Sequence, residues 1–170
     1  MSTRARASAV FPQPLEQVWA VLRDFSFPKL IDDVESVEID DGESAFAVGA
    51  VRTIKWKSGE VRKQRLVALS DLSFSISWEL VFADPPEETT AYDSTIQLYR
   101  ITENNSTFVS WYAPSFVLAF IHSFHSRSLF MMHRDSRTYE YSADVSQGLI
   151  QFRQAELART LDELRSKIGH

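Results

Sequence analysis

The last part of the chain, roughly Ser142 to Ile168, limits the fold more than any other stretch. Ile150, Leu157, Leu161, Leu164 and Ile168 recur at steps of seven, four, three and four. That spacing gathers them on one side of an α-helix. Arg153, Glu156, Arg159, Glu163 and Lys167 fall on the other side, with Glu163 and Lys167 in the favourable i,i+4 order. About 27 residues rising 1.5 Å each make a rod of roughly 40 Å. Its apolar stripe needs a broad partner. The preceding hundred residues read as strands, so the partner expected is a curved sheet.

The strands follow from a change of period. Thr3 to Phe11 alternates Ala5, Ala7, Ala9 and Phe11 with polar neighbours, and Pro12 and Pro14 stop it. Leu15, Val18, Trp19 and Leu22 then mark a short amphipathic helix to about Asp24, with Pro14 placed for its first turn. Phe27-Pro28-Lys29-Leu30-Ile31 predicts a second short helix. From Val34 the period is two. Strands are expected at Val34–Asp40, Val51–Trp56, Val61–Leu69, Ser73–Phe82, Ala91–Ile101 and Thr107–Ala113. Ser58-Gly59 and Glu103-Asn104-Asn105 supply hairpin turns. One strand, two short helices, six strands and a long helix make an α+β meander, with residues 1–170 forming one domain.

Residues 116–141 are too long for a plain connection. Phe116, Val117, Phe120, Ile121 and Phe124 fit a helical face, so an additional helical segment is expected there. The acidic series Asp32, Asp33, Glu35, Glu38, Asp40, Asp41 and Glu43 reads as a solvated edge that discourages strand pairing.

Composition removes several classes of function. The 170 residues carry a net charge of −5, and the basic residues form no stripe, so no nucleic-acid partner is expected. There is no cysteine, which excludes disulfides and thiolate metal sites. Residues 1–30 lack the charged-then-apolar pattern of a signal peptide, and no stretch is apolar enough to span a bilayer, so the expected address is cytoplasmic. Nucleophile triads, phosphate loops and dinucleotide fingerprints are absent. No metal and no cofactor is expected.

Several short motifs, in order from residue 8 to 113, resemble one superfamily. They are Phe11-Pro12, Val18-Trp19, Asp24-Phe25, Gly49-Ala50-Val51-Arg52, Ser58-Gly59, Gln64-Arg65-Leu66, Asp71, Phe74-Ser75-Ile76, Tyr92-Asp93-Ser94-Thr95-Ile96 and Val109-Ser110-Trp111. The chain resembles the START-like, or SRPBCC, helix-grip superfamily, in particular its polyketide cyclase/dehydrase-like and lipid-transfer branch. It is more distantly similar to the plant abscisic acid receptors and the birch pollen allergen. The resemblance implies a curved seven-stranded antiparallel sheet wrapped around the long C-terminal helix. It also implies a cavity between them for a hydrophobic or amphipathic small molecule. Where that family usually has a glutamate on the fourth strand, this chain has Gln64.

In that family's register, Arg52, Ile54 and Trp56 point inward, with Gln64 and Leu66 on the next strand. Phe74, Ile76 and Trp78 follow, then Tyr92, Ser94 and Ile96, then Val109 and Trp111, and Phe152 joins from the terminal helix. Such a wall suits a small-molecule pocket, and equally a solid aromatic core. Arg52 requires a partner, which is either a ligand oxygen or Gln64 and a backbone carbonyl. Tyr92 and Ser94, two apart, present hydroxyls to one side. The candidates for moving protons are Arg52, Tyr92 and His125, the last at helical spacing from His122.

Three functions remain open. The first is binding of a lipid, polyketide or isoprenoid-class molecule for transport or sensing. The second is a cofactor-independent cyclase or dehydratase, and the third is dimerisation or docking to a membrane surface through 116–141. Monomer and homodimer are both compatible with the sequence.

Overall fold

The computed structural model describes residues 4–86, 89–91, 93–114, 116–117 and 147–168. The order is β1 (Arg4–Phe11), α1 (Leu15–Leu22), a 3-10 turn (Phe27–Leu30), β2 (Val34–Ile39), β3 (Val51–Trp56), β4 (Val61–Ser70) and β5 (Ser75–Asp84). After these come β6 (Thr89–Ala91), β7 (Asp93–Ile101), β8 (Ser106–Pro114), β9 (Phe116–Val117) and α2 (Gln147–Ile168). Seven strands form one antiparallel sheet in the order β1-β8-β7-β5-β4-β3-β2. The sheet is open, with β1 and β2 at its two edges and α1 and the 3-10 turn bridging them along the chain.

The hairpins form where turn chemistry permits. Gly59 takes φ +90°, and Trp56 N–H reaches the carbonyl of Glu60 at 2.9 Å. Between β7 and β8, Asn105 adopts φ +54°, which asparagine tolerates, and Asn104 Oδ1 accepts the Ser106 hydroxyl at 2.6 Å. In β1 the expected alternation holds: Ala5, Ala7 and Phe11 are buried, while Arg6, Ser8 and Val10 face out.

The β4–β5 pairing contains two register shifts, at Lys63/Gln64 and at Leu66/Ala68. Bulges of this kind bend a strand and increase its twist. They also interrupt the period-two alternation of β5. Ile76 and Trp78 are buried as expected, but Phe82, in phase with them, is 50% exposed beyond the bulge.

α2 lies along β1 and seals the core with its C-terminal half. Leu161 and Leu164 are fully buried and Ile168 nearly so, whereas Leu157 and Ile150 are half-buried. Each fully buried leucine contributes about 1.5–3 kcal/mol relative to an exposed one. The same end of the helix is tied down by polar contacts. Lys167 pairs with Asp32, Glu163 accepts the Asp32 backbone N–H, and Arg159 lies 3.4 Å from Asp33. The acidic series is therefore more than a solvated edge. Its first two members hold α2, and Asp40 binds Lys63 at 2.7 Å and Thr53 at 2.6 Å.

The terminal helix is described from Gln147, so the expected start near Ser142 lies outside the described residues. Phe116 and Val117 correct the expectation of a helix there, because they pair as a strand with β6. The rest of the 116–141 segment, with His122, His125 and His133, lies outside the described residues. Among the described residues no helix is long and apolar enough to cross a membrane.

A candidate ligand cavity under the terminal helix

Three rings form the floor of the interior. Trp78 and Trp111 meet edge-on with centroids 5.7 Å apart, and Phe27 approaches them at 5.7 and 6.4 Å. β5 and β8 supply the tryptophans, and the 3-10 turn supplies the phenylalanine. Pro28 starts that turn by restricting φ where an N–H has no helical partner. Above the floor and beneath α2 remains a cavity of about 100 Å³.

Arg52 sits at its inner wall with 1% exposure. Its Nε and Nη2 both donate to Gln64 Oε1, at 2.8 and 2.6 Å, and Nη1 donates to the Phe25 carbonyl at 2.6 Å. The guanidinium also lies over the Phe25 ring at 4.0 Å, and 5.0 Å from the centroids of Phe27 and Trp78. Ring faces attract a cation, and the pull grows when water is excluded. Burial drives the Arg52 pKa well down from its ordinary value, opposed by the Asp24 carboxylate at longer range. Arginine nonetheless stays protonated in proteins. Asp24 itself is bonded to Ser26 and Lys29. Arg52 is thus bonded to Gln64 and a backbone carbonyl, partners that are all neutral.

The residues expected on the wall divide into four groups. Arg52, Ile54 and Trp56 of β3, Gln64 of β4, Trp78 of β5, Ser94 of β7 and Trp111 of β8 line the cavity. Ile76 and Ile96 face one another across β5 and β7 and are fully buried with Leu66 and Val109 in solid core, so they are not lining residues. Phe74 and Phe152 also require correction. Phe74 precedes β5 with φ +53°, a left-handed conformation that turns its ring onto Trp19, 5.9 Å away and nearly perpendicular. Phe152 is 59% exposed on the outer side of α2. Tyr92 and His125 lie outside the described residues.

Sequence spacing placed Leu157 toward the sheet but missed the rest of the helix side of the cavity. Arg153, Glu156, Leu157 and Thr160 border it, joined by Arg62, Phe27, Pro28 and Ile31. Arg153 and Glu156 had been assigned to the solvent face, yet they pair with each other at 2.9 Å over the opening. The i, i+3, i+4, i+7 relation among positions 153, 156, 157 and 160 is the signal that marks them as one face. Trp56 and Trp111 carry a further feature. Their indole nitrogens are buried without a hydrogen-bond partner among the described residues. An unsatisfied buried donor costs about 1–3 kcal/mol.

No protein-family model matches this sequence, and no curated protein matches it. Solved structures do. A protein from Nitrosospira multiformis superposes with a TM-score of 0.71 at 19% identity, covering 97% of this chain and 95% of its own. The protein XoxI from Bacillus cereus gives 0.70 at 20% identity, over 99% and 96% of the two chains. The crystal structure of Ara h 8.0201 gives 0.67 at 11% identity, over 97% and 96%. The chain has the helix-grip fold. At these identities the likeness concerns architecture, and the helix-grip arrangement accounts for where the cavity lies. A sheet gripping a helix leaves space where the helix is held less tightly, here toward the N-terminal half of α2, where Leu157 and Ile150 are half-buried.

Among the described residues no group of three or more histidine and acidic side chains is placed to hold a metal ion.

Proposed function

We propose that the protein binds a compact hydrophobic or amphipathic small molecule in the cavity between α2 and the sheet, for carriage or sensing. The observation that carries this reading is the cavity's composition, in which four aromatic side chains, Phe27, Trp56, Trp78 and Trp111, and further apolar groups surround a few polar ones. Ligand sites commonly combine a largely apolar wall with a small number of oriented polar groups. The volume of about 100 Å³ bears on the size of the ligand. It is smaller than the ~150 Å³ apolar cavity that accepts benzene in an engineered protein. A single ring or a short chain is the size class this reading takes for the part of the ligand held there.

The cyclase or dehydratase alternative would use the same space and requires a group that exchanges protons near neutrality. Arg52 keeps its proton, so among the candidates Tyr92 or His125 would have to serve that role, and both lie outside the described residues.

The test combines native mass spectrometry of the purified protein with titration of its tryptophan fluorescence by compact apolar probes such as toluene and benzyl alcohol. Saturable quenching that weakens about ten-fold in Trp111→Ala is the expected outcome. Absence of any saturable response, with no retained molecule, contradicts the reading.

A further inference from the structure

The charge inside the cavity is opposite to that of the whole molecule. The chain carries a net −5, yet the charged side chains lining the cavity are three arginines and a single carboxylate, Glu156. Glu156 is paired with Arg153, and Arg62 is paired with Glu60. Arg52 alone among them is bonded only to neutral acceptors. Of its five N–H groups three are used, one on each nitrogen, which leaves one on Nη1 and one on Nη2.

The remaining polar groups on the wall are chiefly donors. Gln64 Oε1 is already occupied twice by Arg52. Ser94 is a buried hydroxyl on β7 of the same sheet, and the Trp56 and Trp111 indoles are donors without partners among the described residues. A buried cation with spare donors, in a cavity that holds further unsatisfied donors, is stabilised by an acceptor that also brings negative charge.

We infer that the cavity recognises a small carboxylate, of the size of a one-ring or short-chain acid, with its carboxylate at Arg52 and its apolar part against Trp78 and Trp111. This deepens the reading given above and rests on it. The ring-sized volume sets the dimensions, and the Arg52–Gln64 pair sets the charge. Gln64 is the residue that makes the site possible. It orients the guanidinium without neutralising it, whereas a glutamate there would occupy the same hydrogen bonds and cancel the charge.

The experiment is calorimetric titration of the full chain with benzoate and, separately, with benzyl alcohol, which keeps the ring and loses the charge. Benzoate is expected to bind about ten-fold or more tightly, because a hydrogen bond to a charged partner is worth more than a neutral one. In Gln64→Glu the ratio between the two probes is expected to collapse toward one. Equal affinity for both probes in the unmodified protein overturns the inference and leaves the cavity reading standing. A benzoate preference that survives Gln64→Glu also overturns it, since the anion then sits elsewhere. Binding of neither probe overturns the cavity reading itself, and the inference with it. Should Gln64→Glu fail to fold, the Arg52 Nε resonance of the unmodified protein provides the same test. A shift with benzoate and none with benzyl alcohol supports the assignment, and the same response to both contradicts it.

Discussion

Arg52 donates two hydrogen bonds to one oxygen, Gln64 Oε1, and its third to the carbonyl of Phe25. This pins β3 to β4 and to the segment after α1 around a charge with no bonded counterion. A buried charge missing its partners is strongly destabilising, and so is a partner left behind. Arg52→Met removes the charge but strands Gln64 and the Phe25 carbonyl. The expected loss is roughly 2–5 kcal/mol, measured by urea denaturation. A loss near zero would mean that the network does not hold the fold.

The grip on α2 is uneven along its length, and this is testable by substitution. Leu164 is fully buried and Phe152 is 59% exposed. Leu164→Ala is expected to cost about 2–5 kcal/mol, from lost burial and the cavity left behind. Phe152→Ser should change stability by no more than about 0.5 kcal/mol. Comparable losses at both positions would contradict the placement of the helix.

Much of this grip was legible beforehand. The steps between Leu157, Leu161, Leu164 and Ile168 define the buried stripe, and Ser58-Gly59 and Asn104-Asn105 mark turns that form where expected. These signals are local, because a turn or a helical face is encoded within a few residues. The bulges in β4 and β5 are set by pairing between strands, so strict alternation puts Phe82 inside when it is outside. Phe74 was misplaced for a related reason. A left-handed residue reverses the side its ring faces, and nothing in Ser73-Phe74-Ser75 announces a positive φ at a bulky residue.

The candidate site shows the same division. Arg52, Trp56, Trp78, Ser94 and Trp111 came from the register of the superfamily the sequence resembles and do line one cavity. Arg153 and Glu156 were missed because charged residues on an amphipathic helix default to solvent, although their spacing with Leu157 and Thr160 sets them on one helical face. The tie from Asp32 to Lys167 spans 135 positions and leaves no short-range trace.

Acid sensitivity follows from that tie and from two further paired carboxylates, Asp40 and Asp71. Asp32 is held below its ordinary 3.8, chiefly by the hydrogen bond from Lys167. Asp40 is lowered by Lys63 and then Thr53, and Asp71 by the Trp19 indole and then Arg23. A carboxyl whose folded pKa lies below its unfolded one stabilises the fold above the unfolded value. That contribution disappears as pH falls through the folded value. Urea midpoints are therefore expected to be flat with respect to these groups from neutrality to about pH 5 and to decline below 3.8. Asp32→Asn should make the decline shallower. An unchanged acid profile in Asp32→Asn would show that the Lys167 contact does not persist in solution.

The chain has four tryptophans, and their indole N–H resonances report separately on the interior. Trp56 and Trp111 line the cavity with unpartnered N–H groups, whereas the Trp19 N–H is bonded to Asp71 at 2.8 Å away from it. The most direct measurement is a titration of 15N-labelled protein with benzyl alcohol, followed through these indole signals. Occupation of the space under α2 predicts saturable shifts at Trp56 and Trp111 with Trp19 unmoved. No shift at either, or a shift confined to Trp19, would contradict a ligand site between the helix and the sheet.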